Sequence, residues 1–329
     1  FEPSPEGFGR QLTSVVASNP ERFVVDSYLF RELDPTYLHA LLNGFREAIK
    51  QKKSFSWTRV LDLCKWVVQQ PIEKVTRRPS FTNFDTGWGW TRKTIADLLY
   101  DGFSIEAGAE EIPFDLRGSA WGVLRPLADD SDPTIEDEGV GPEKSNIDLA
   151  TFSINTIRGS AMHAIIRYAL WVRRHVEAGP NGKQPTRQGF ENMPEVQDVP
   201  SLSIRSVYGK WFPWLVLLDR EWTVMRVSRI FPHDESLRDL HDVAWETYVT
   251  FCHPYDSVFD MLREEYALAT ERINERNTKW RFMTDPKKRF VEHLMALYWQ
   301  GKLSLDETNG ILAQFYEKAS DALPNANRL

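Results

Sequence analysis

An all-α fold, an α-solenoid of HEAT- or armadillo-like helical hairpins joined by irregular loops, is predicted by three features of the sequence. Apolar residues recur at steps of three and four along most of the 329 residues. No run alternates apolar and polar residues with a period of two over a useful length, so strands are not expected. Finally, an apolar residue, an arginine and small residues recur early in three predicted helices: Leu116 to Trp121 (LRGSAW), Ile157 to Met162 (IRGSAM) and, more loosely, Ile204 to Gly209 (IRSVYG). Their arginines, Arg117, Arg158 and Arg205, are 41 and 47 residues apart, a spacing found in such repeats. Small residues let helix backbones approach, and an inward arginine can tie one helix to its neighbour's acids. All three arginines are therefore expected to be structural.

In chain order, Asn19, Pro20 and Glu21 form a helix start, with a capping side chain, a proline whose missing donor does no harm and an acid in the first turn. Asp34 and Pro35 repeat the device and open an amphipathic helix through Leu38, Leu41, Leu42, Phe45 and Ile49. Lys50, Lys52 and Lys53 close it, as the helix dipole favours. Ser56 starts the next helix, through Val60, Leu61, Cys64, Val67 and Val68, and Pro71 stops it. A polar connector leads to Trp88 and a helix over 91–100, and Pro113 opens one that reaches Leu127.

Asp129 to Asp148 holds eight acids and one base, Lys144, and with Pro133 and Pro142 reads as an exposed acidic loop. It separates N-terminal repeats (1–128) from C-terminal repeats (150–329), the loop itself being 129–149 of one continuous array. Its excess equals the whole net charge of −7, so the remainder balances and bulk positive charge for nucleic acid is lacking.

Asp148 to Glu177 reads as a single long helix around which the rest is organised. Ile154, Ile157, Ala161, Ile165, Tyr168 and Val172 share one side, and Met162, Ile166 and Ala169 widen it for packing on two flanks. Arg158 falls inside the apolar arc, where a carboxylate or carbonyls must meet it. His163 falls on the polar face. A loop follows over 179–189, and a helix start at Met193 stops at Pro200, which implies residues missing from the numbered chain near Val199 and Pro200. Helices are then expected over 201–219, kinked at Pro213, and over 221–230, 236–251, 255–276, 286–300 and 305–319.

With 42% apolar and 26% charged residues the chain is too apolar for disorder. Its longest apolar run, Trp211 to Leu218, falls far short of the ~20 residues a membrane span needs. No charged-then-apolar leader opens it, and two lone cysteines, Cys64 and Cys252, fit a reducing cytosol without forming a disulfide or metal framework. A cytoplasmic chain with no cofactor and no membrane contact is expected. Its first residue is Phe, as in a piece of a longer polypeptide.

Four constellations suggest chemistry. Arg158 and His163 match the R-x4-H pattern of the all-helical HEPN ribonucleases, and the resemblance implies His163 as acid or base and Arg158 on phosphate. The two fall on different faces of one helix, which favours a structural arginine. His233-Asp234 and His241-Asp242 resemble the paired His-Asp of HD-type phosphohydrolases, whose further metal ligands have no counterpart here; helix-cap and surface roles, and no metal, are expected. Gly179 to Lys183 fails as a phosphate loop, since Glu177 stands where glycine is needed and Gln184 where a hydroxyl is. The bases Arg272, Arg276, Lys279, Arg281 and Lys287 surround Trp280, but Glu271, Glu275 and Asp285 dilute them, which argues against a nucleic-acid partner. Core packing is the default reading of Trp211, Trp214, Trp245 and Tyr255, and a solvated helix end that of Trp280; where exposed, these five are the candidates for binding a partner.

Three segments carry a wider resemblance: Ser153 to Gly159 (SINTIRG) through Ala169 to Trp171, Arg205 to Gly209 with Trp211 to Trp214 (WFPW), and His293 to Trp299 (HLMALYW) to Leu305. From about Asn19 onward the chain resembles the C-terminal helical-repeat region of bacterial antiviral STAND-type NTPases, and related regions of defence proteins with sirtuin-like effectors. That resemblance implies a non-catalytic sensor for a viral protein, with NTPase and effector domains, and any oligomerisation, elsewhere in the same polypeptide. The alternative expectation is a helical nuclease using Arg158 and His163.

Overall fold

The computed structural model describes residues 5–71, 87–103, 110–138, 148–177, 200–275 and 284–321. All regular structure in them is helical, with no strand, and no helix among them is long and apolar enough to cross a membrane. The stretch 178–199, with its abrupt helix start, and Trp280 lie outside the described residues.

The first helices are α1 (Pro5–Ser18), α2 (Pro20–Val25), α3 (Pro35–Lys50), α4 (Trp57–Val68), α5 (Gly89–Gly102), α6 (Arg117–Ala128), α7 (Ile135–Glu138), α8 (Leu149–Ser153) and α9 (Ile157–Glu177). They are followed by α10 (Leu202–Leu218), α11 (Arg220–Val224), α12 (Val227–Ile230), α13 (Arg238–Phe251), α14 (Asp256–Glu271), α15 (Pro286–Trp299) and α16 (Ile311–Asp321). Their starts follow local chemistry. Asp34 accepts from the Thr36 N–H ahead of α3, and Asp285 from the Lys287 N–H ahead of α15, each with proline in the first turn. Asn19 precedes Pro20 as expected but makes no side-chain cap bond.

Packing divides the helices into two compact units, Phe1–Pro133 with Ile154–Pro194, and Thr134–Ser153 with Glu195–Leu329. Within the first, α1 packs on α3, α3 on α5 and α5 on α9, while α2 lies against α4, α4 against α6, and α6 against α9. Within the second, α8 packs on α10, α10 on α13 and α13 on α15, while α14 lies against α16. Each row buries the apolar stripe that the sequence shows, as with Leu38, Leu41, Leu42 and Phe45 of α3. At Gly44 and Gly209 the rows close too tightly for a side chain. A Cβ on Gly44 would stand 2.5 Å from the Val16 Cβ, and one on Gly209 would stand 2.2 Å from the Ala244 carbonyl oxygen.

The expected single helix from Asp148 to Glu177 is two. Asp148 caps α8 by accepting from the Thr151 N–H and hydroxyl at 2.8 and 2.7 Å. A new start then forms at α9, where the Asp132 carboxylate accepts from the Ile157 N–H at 2.7 Å and the Thr156 hydroxyl from the Gly159 N–H at 3.2 Å. At the end of α8 the Ser153 and Ser160 hydroxyls donate to the Ala150 and Ile154 carbonyls at 2.7 and 3.1 Å, so side-chain caps on both sides of the break outcompete one more helical turn. As a result α8 belongs to the second unit and α9 to the first, whereas the sequence places everything beyond 150 in the C-terminal repeats.

The acidic segment is not a simple exposed loop either. Asp130, Glu138 and Asp148 are buried. Asp130 stands 3.1 Å from the Arg92 guanidinium, which also donates to the Val68 carbonyl at 2.5 Å. Glu138 accepts from the Leu202 and Ser203 N–H groups at 2.8 and 3.1 Å and from the hydroxyls of Ser201 and Ser203. A carboxylate there meets the positive end of α10.

Candidate functional site

The expected equivalence of the three arginines does not survive folding. Arg205 of α10 is buried, donates to the Arg229 carbonyl, and is pushed down to about 10 by that burial. Arg158 is half-buried at the start of α9 and donates to the Pro133 carbonyl at 2.7 Å. Arg117 is exposed at the start of α6, its guanidinium lying 4.9 Å from the Phe114 ring centre. Its guanidinium stays at the surface and Gly118 beside it has no neighbour within 4 Å of a would-be Cβ, while the Arg117 carbonyl accepts from the Tyr168 hydroxyl of α9 at 3.4 Å.

His163 is buried, contrary to its expected place on a polar face; α9 is covered by both α5 and α6, which leaves little of it for water. Arg158 is committed to a carbonyl and His163 to the interior, so the two do not present a joint surface to a nucleic-acid strand.

Of the aromatic candidates, Trp214 and Tyr255 are exposed and Trp211 is half-buried, its ring 6.5 Å from that of Trp214. Trp245 is core, contrary to its place among the binding candidates. It stands edge-on to Tyr266 at 5.0 Å and to Phe290 at 5.9 Å, a site set by α13 packing on α15. Trp299, 78% exposed at the end of α15, is the most open large apolar side chain among the described residues and was not among the binding candidates read from sequence.

A polar constellation forms in the second unit where the sequence predicts only caps and surface groups. Asp234 does cap, accepting from the Ser236 N–H at 2.8 Å. His241 is not a surface group, because α13 turns it inward to 4% exposure. Its Nε2 stands 2.9 Å from Oε2 of Glu265 on α14, and the other carboxylate oxygen, Oε1, stands 2.9 Å from Nε2 of His233. The second ring nitrogen of His241, Nδ1, faces Asp242 at 3.1 Å. Burial alone would lower the His241 pKa, but the hydrogen bonds and charges of Asp242 and Glu265 overcome it and hold it above the ordinary value.

The surrounding charges are partitioned. Arg238 reaches Glu235 at 3.2 Å, Glu275, and Asp242 at 3.5 Å, and Arg272 stands 3.8 Å from Asp242. Glu265 is buried and, among the described residues, its ion-pair partners are the two imidazoles. A cavity of about 150 Å³ opens over the group, lined by His233, Glu235, Arg238, His241, Leu268 and Arg272. Phe231, fully buried and 6.3 Å from the His241 ring, forms an apolar wall. Sequence reading missed Glu265, though a signal was there: it shares a helix face with Val258 and Leu262, and a carboxylate on an apolar stripe needs a partner.

No family model matches the chain, and no curated protein or solved structure matches it.

Proposed function

We propose that this chain is a protein-recognition module, a HEAT- or armadillo-like array of helical hairpins that acts as the cytoplasmic sensor region of a larger bacterial antiviral STAND-type NTPase and binds a viral protein. The observation that carries this reading is the neighbour order: successive helices pack on one another in rows, α1, α3, α5 and α9 beside α2, α4 and α6 in the first unit and α8, α10, α13 and α15 in the second. Such stacking leaves each helix pair in contact mainly with its neighbours and offers a continuous outer face for a partner. Exposed rings at Trp214, Tyr255 and Trp299 supply the kind of side chain that dominates protein interfaces. Binding would act on the rest of the polypeptide only through its different affinity for the resting and assembled forms.

The test is capture followed by reconstitution. The tagged segment is recovered from phage-infected cells, the retained viral protein is purified separately, and the two are remixed. A stable complex that Trp214→Ser and Trp299→Ser weaken, at unchanged melting temperature, supports the reading. Cleavage of RNA or DNA by the purified segment, abolished by His163→Ala, would replace it with the nuclease alternative.

A further inference from the structure

We infer that His233, His241 and Glu265 form a binding site for a first-row divalent transition-metal ion of the zinc class, with Asp242 orienting His241 and the remaining coordination position facing the cavity. The three ligand atoms come from three separate elements and all lie within 4.8 Å of one another. Tetrahedral coordination at 2.0–2.1 Å asks for separations of about 3.4 Å, which rotation of exposed His233 together with a swing of the Glu265 carboxylate, now 2.9 Å from each Nε2, by about half an ångström would supply. Two imidazoles and one carboxylate with an open position are a known ligand set for such ions, whereas calcium and magnesium prefer oxygen throughout.

The hydrogen-bond inventory points the same way. A neutral imidazole carries one N–H, yet both nitrogens of His241 face carboxylate oxygens and Glu265 faces an imidazole nitrogen on each side. A divalent ion held between Glu265 and the two Nε2 atoms satisfies every one of these contacts with neutral rings. It leaves the Nδ1–H of His241 to donate to Asp242, the arrangement that fixes the tautomer of metal-bound histidines. Arg238 and Arg272 line the cavity, but their guanidiniums are engaged by Glu235, Glu275 and Asp242, so Glu265 keeps its charge for the ion. The apolar side formed by Phe231 and Leu268 lowers the local dielectric and strengthens the attraction.

Zinc chloride titrated calorimetrically into the chelator-stripped full chain at neutral pH is expected to bind at one ion per chain and raise the melting temperature. Cobalt(II) should give visible absorption of nitrogen- and oxygen-ligated ions. His233→Ala, at a half-exposed position that leaves the fold intact, should weaken zinc at least about 100-fold, and Asp242→Asn about 10- to 100-fold. Cys252→Ser should leave zinc binding unchanged. The inference is overturned if the unmodified chain shows no saturable zinc binding up to about 1 mM, or if binding persists unchanged in both His233→Ala and Glu265→Gln.

Discussion

The Cys252 thiol lies 3.7 Å from the Gly209 carbonyl oxygen and 3.2 Å from that of Lys210. Gly209 is the residue whose carbonyl loses its helical donor to Pro213, four positions on. A side chain from the end of α13 thus supplies what the proline withholds, and α10 stays one helix from Leu202 to Leu218. Cys252→Ala should cost about 1 kcal/mol in urea denaturation, and Cys252→Ser, which keeps a donor, should cost less. Equal losses in the two variants would mean that the thiol only fills space.

Two glycines of the recurrent motif, Gly118 at its third position and Gly209 at its sixth, should behave oppositely. Gly209→Ala drives a methyl into the Ala244 backbone and is expected to destabilise by about 3 kcal/mol or prevent folding. Gly118→Ala meets open space in a helix and should stabilise by about 0.5 kcal/mol. Thermal melts of the pair check both signs.

His293 gives the second unit a defined acid sensitivity. It lies in a buried chain of hydrogen bonds: its Nε2 donates to the Cys252 carbonyl at 2.9 Å, and its Nδ1 accepts from Tyr266, whose hydroxyl is 3.2 Å from that of Tyr248. Burial lowers its pKa from 6.5 to about 4. The unfolded chain therefore takes up this proton first, and stability falls as pH drops from 6.5 toward 4, by up to about 3 kcal/mol. Denaturation midpoints across that window should slope less in His293→Gln than in the unmodified chain. Parallel slopes would assign the acid limb to other groups.

Glu138 holds the first turn of α10 through four donors, so Glu138→Ala should cost about 2 kcal/mol. Amide exchange at Leu202 and Ser203 should accelerate first, because those N–H groups lose their acceptor. Unchanged protection there would show that water replaces the carboxylate without loss.

Helix existence was legible because periodicity reports burial directly: the stripe and proline-marked start of α3, and the helix expected over 286–300, appear where the sequence predicts them. The break between α8 and α9 was not, since it depends on Asp132, 25 residues upstream of the N–H that it accepts from. The acids of 129–148 read as a solvated run for the same reason. Asp130 and Glu138 find Arg92 and the start of α10 only once the chain has folded back. At the candidate site His233 and His241 were visible as a pair, but Glu265 lies 24 residues beyond His241, and no local spacing rule connects them. The repeat of Arg117, Arg158 and Arg205 held for Arg158 and Arg205, each of which meets a backbone carbonyl, and misled at Arg117, where similar sequence begins a helix with that side chain exposed.

The proposed recognition of a viral protein, with no nucleolytic chemistry by this chain, is most directly tested by sedimentation velocity. The purified segment is mixed in turn with each purified protein of a phage to which the host is resistant. One of them is expected to move the segment into a faster, stoichiometric complex, with added RNA and DNA left intact. Failure of every viral protein to shift its sedimentation, or degradation of the nucleic acid by the segment alone, would contradict the account.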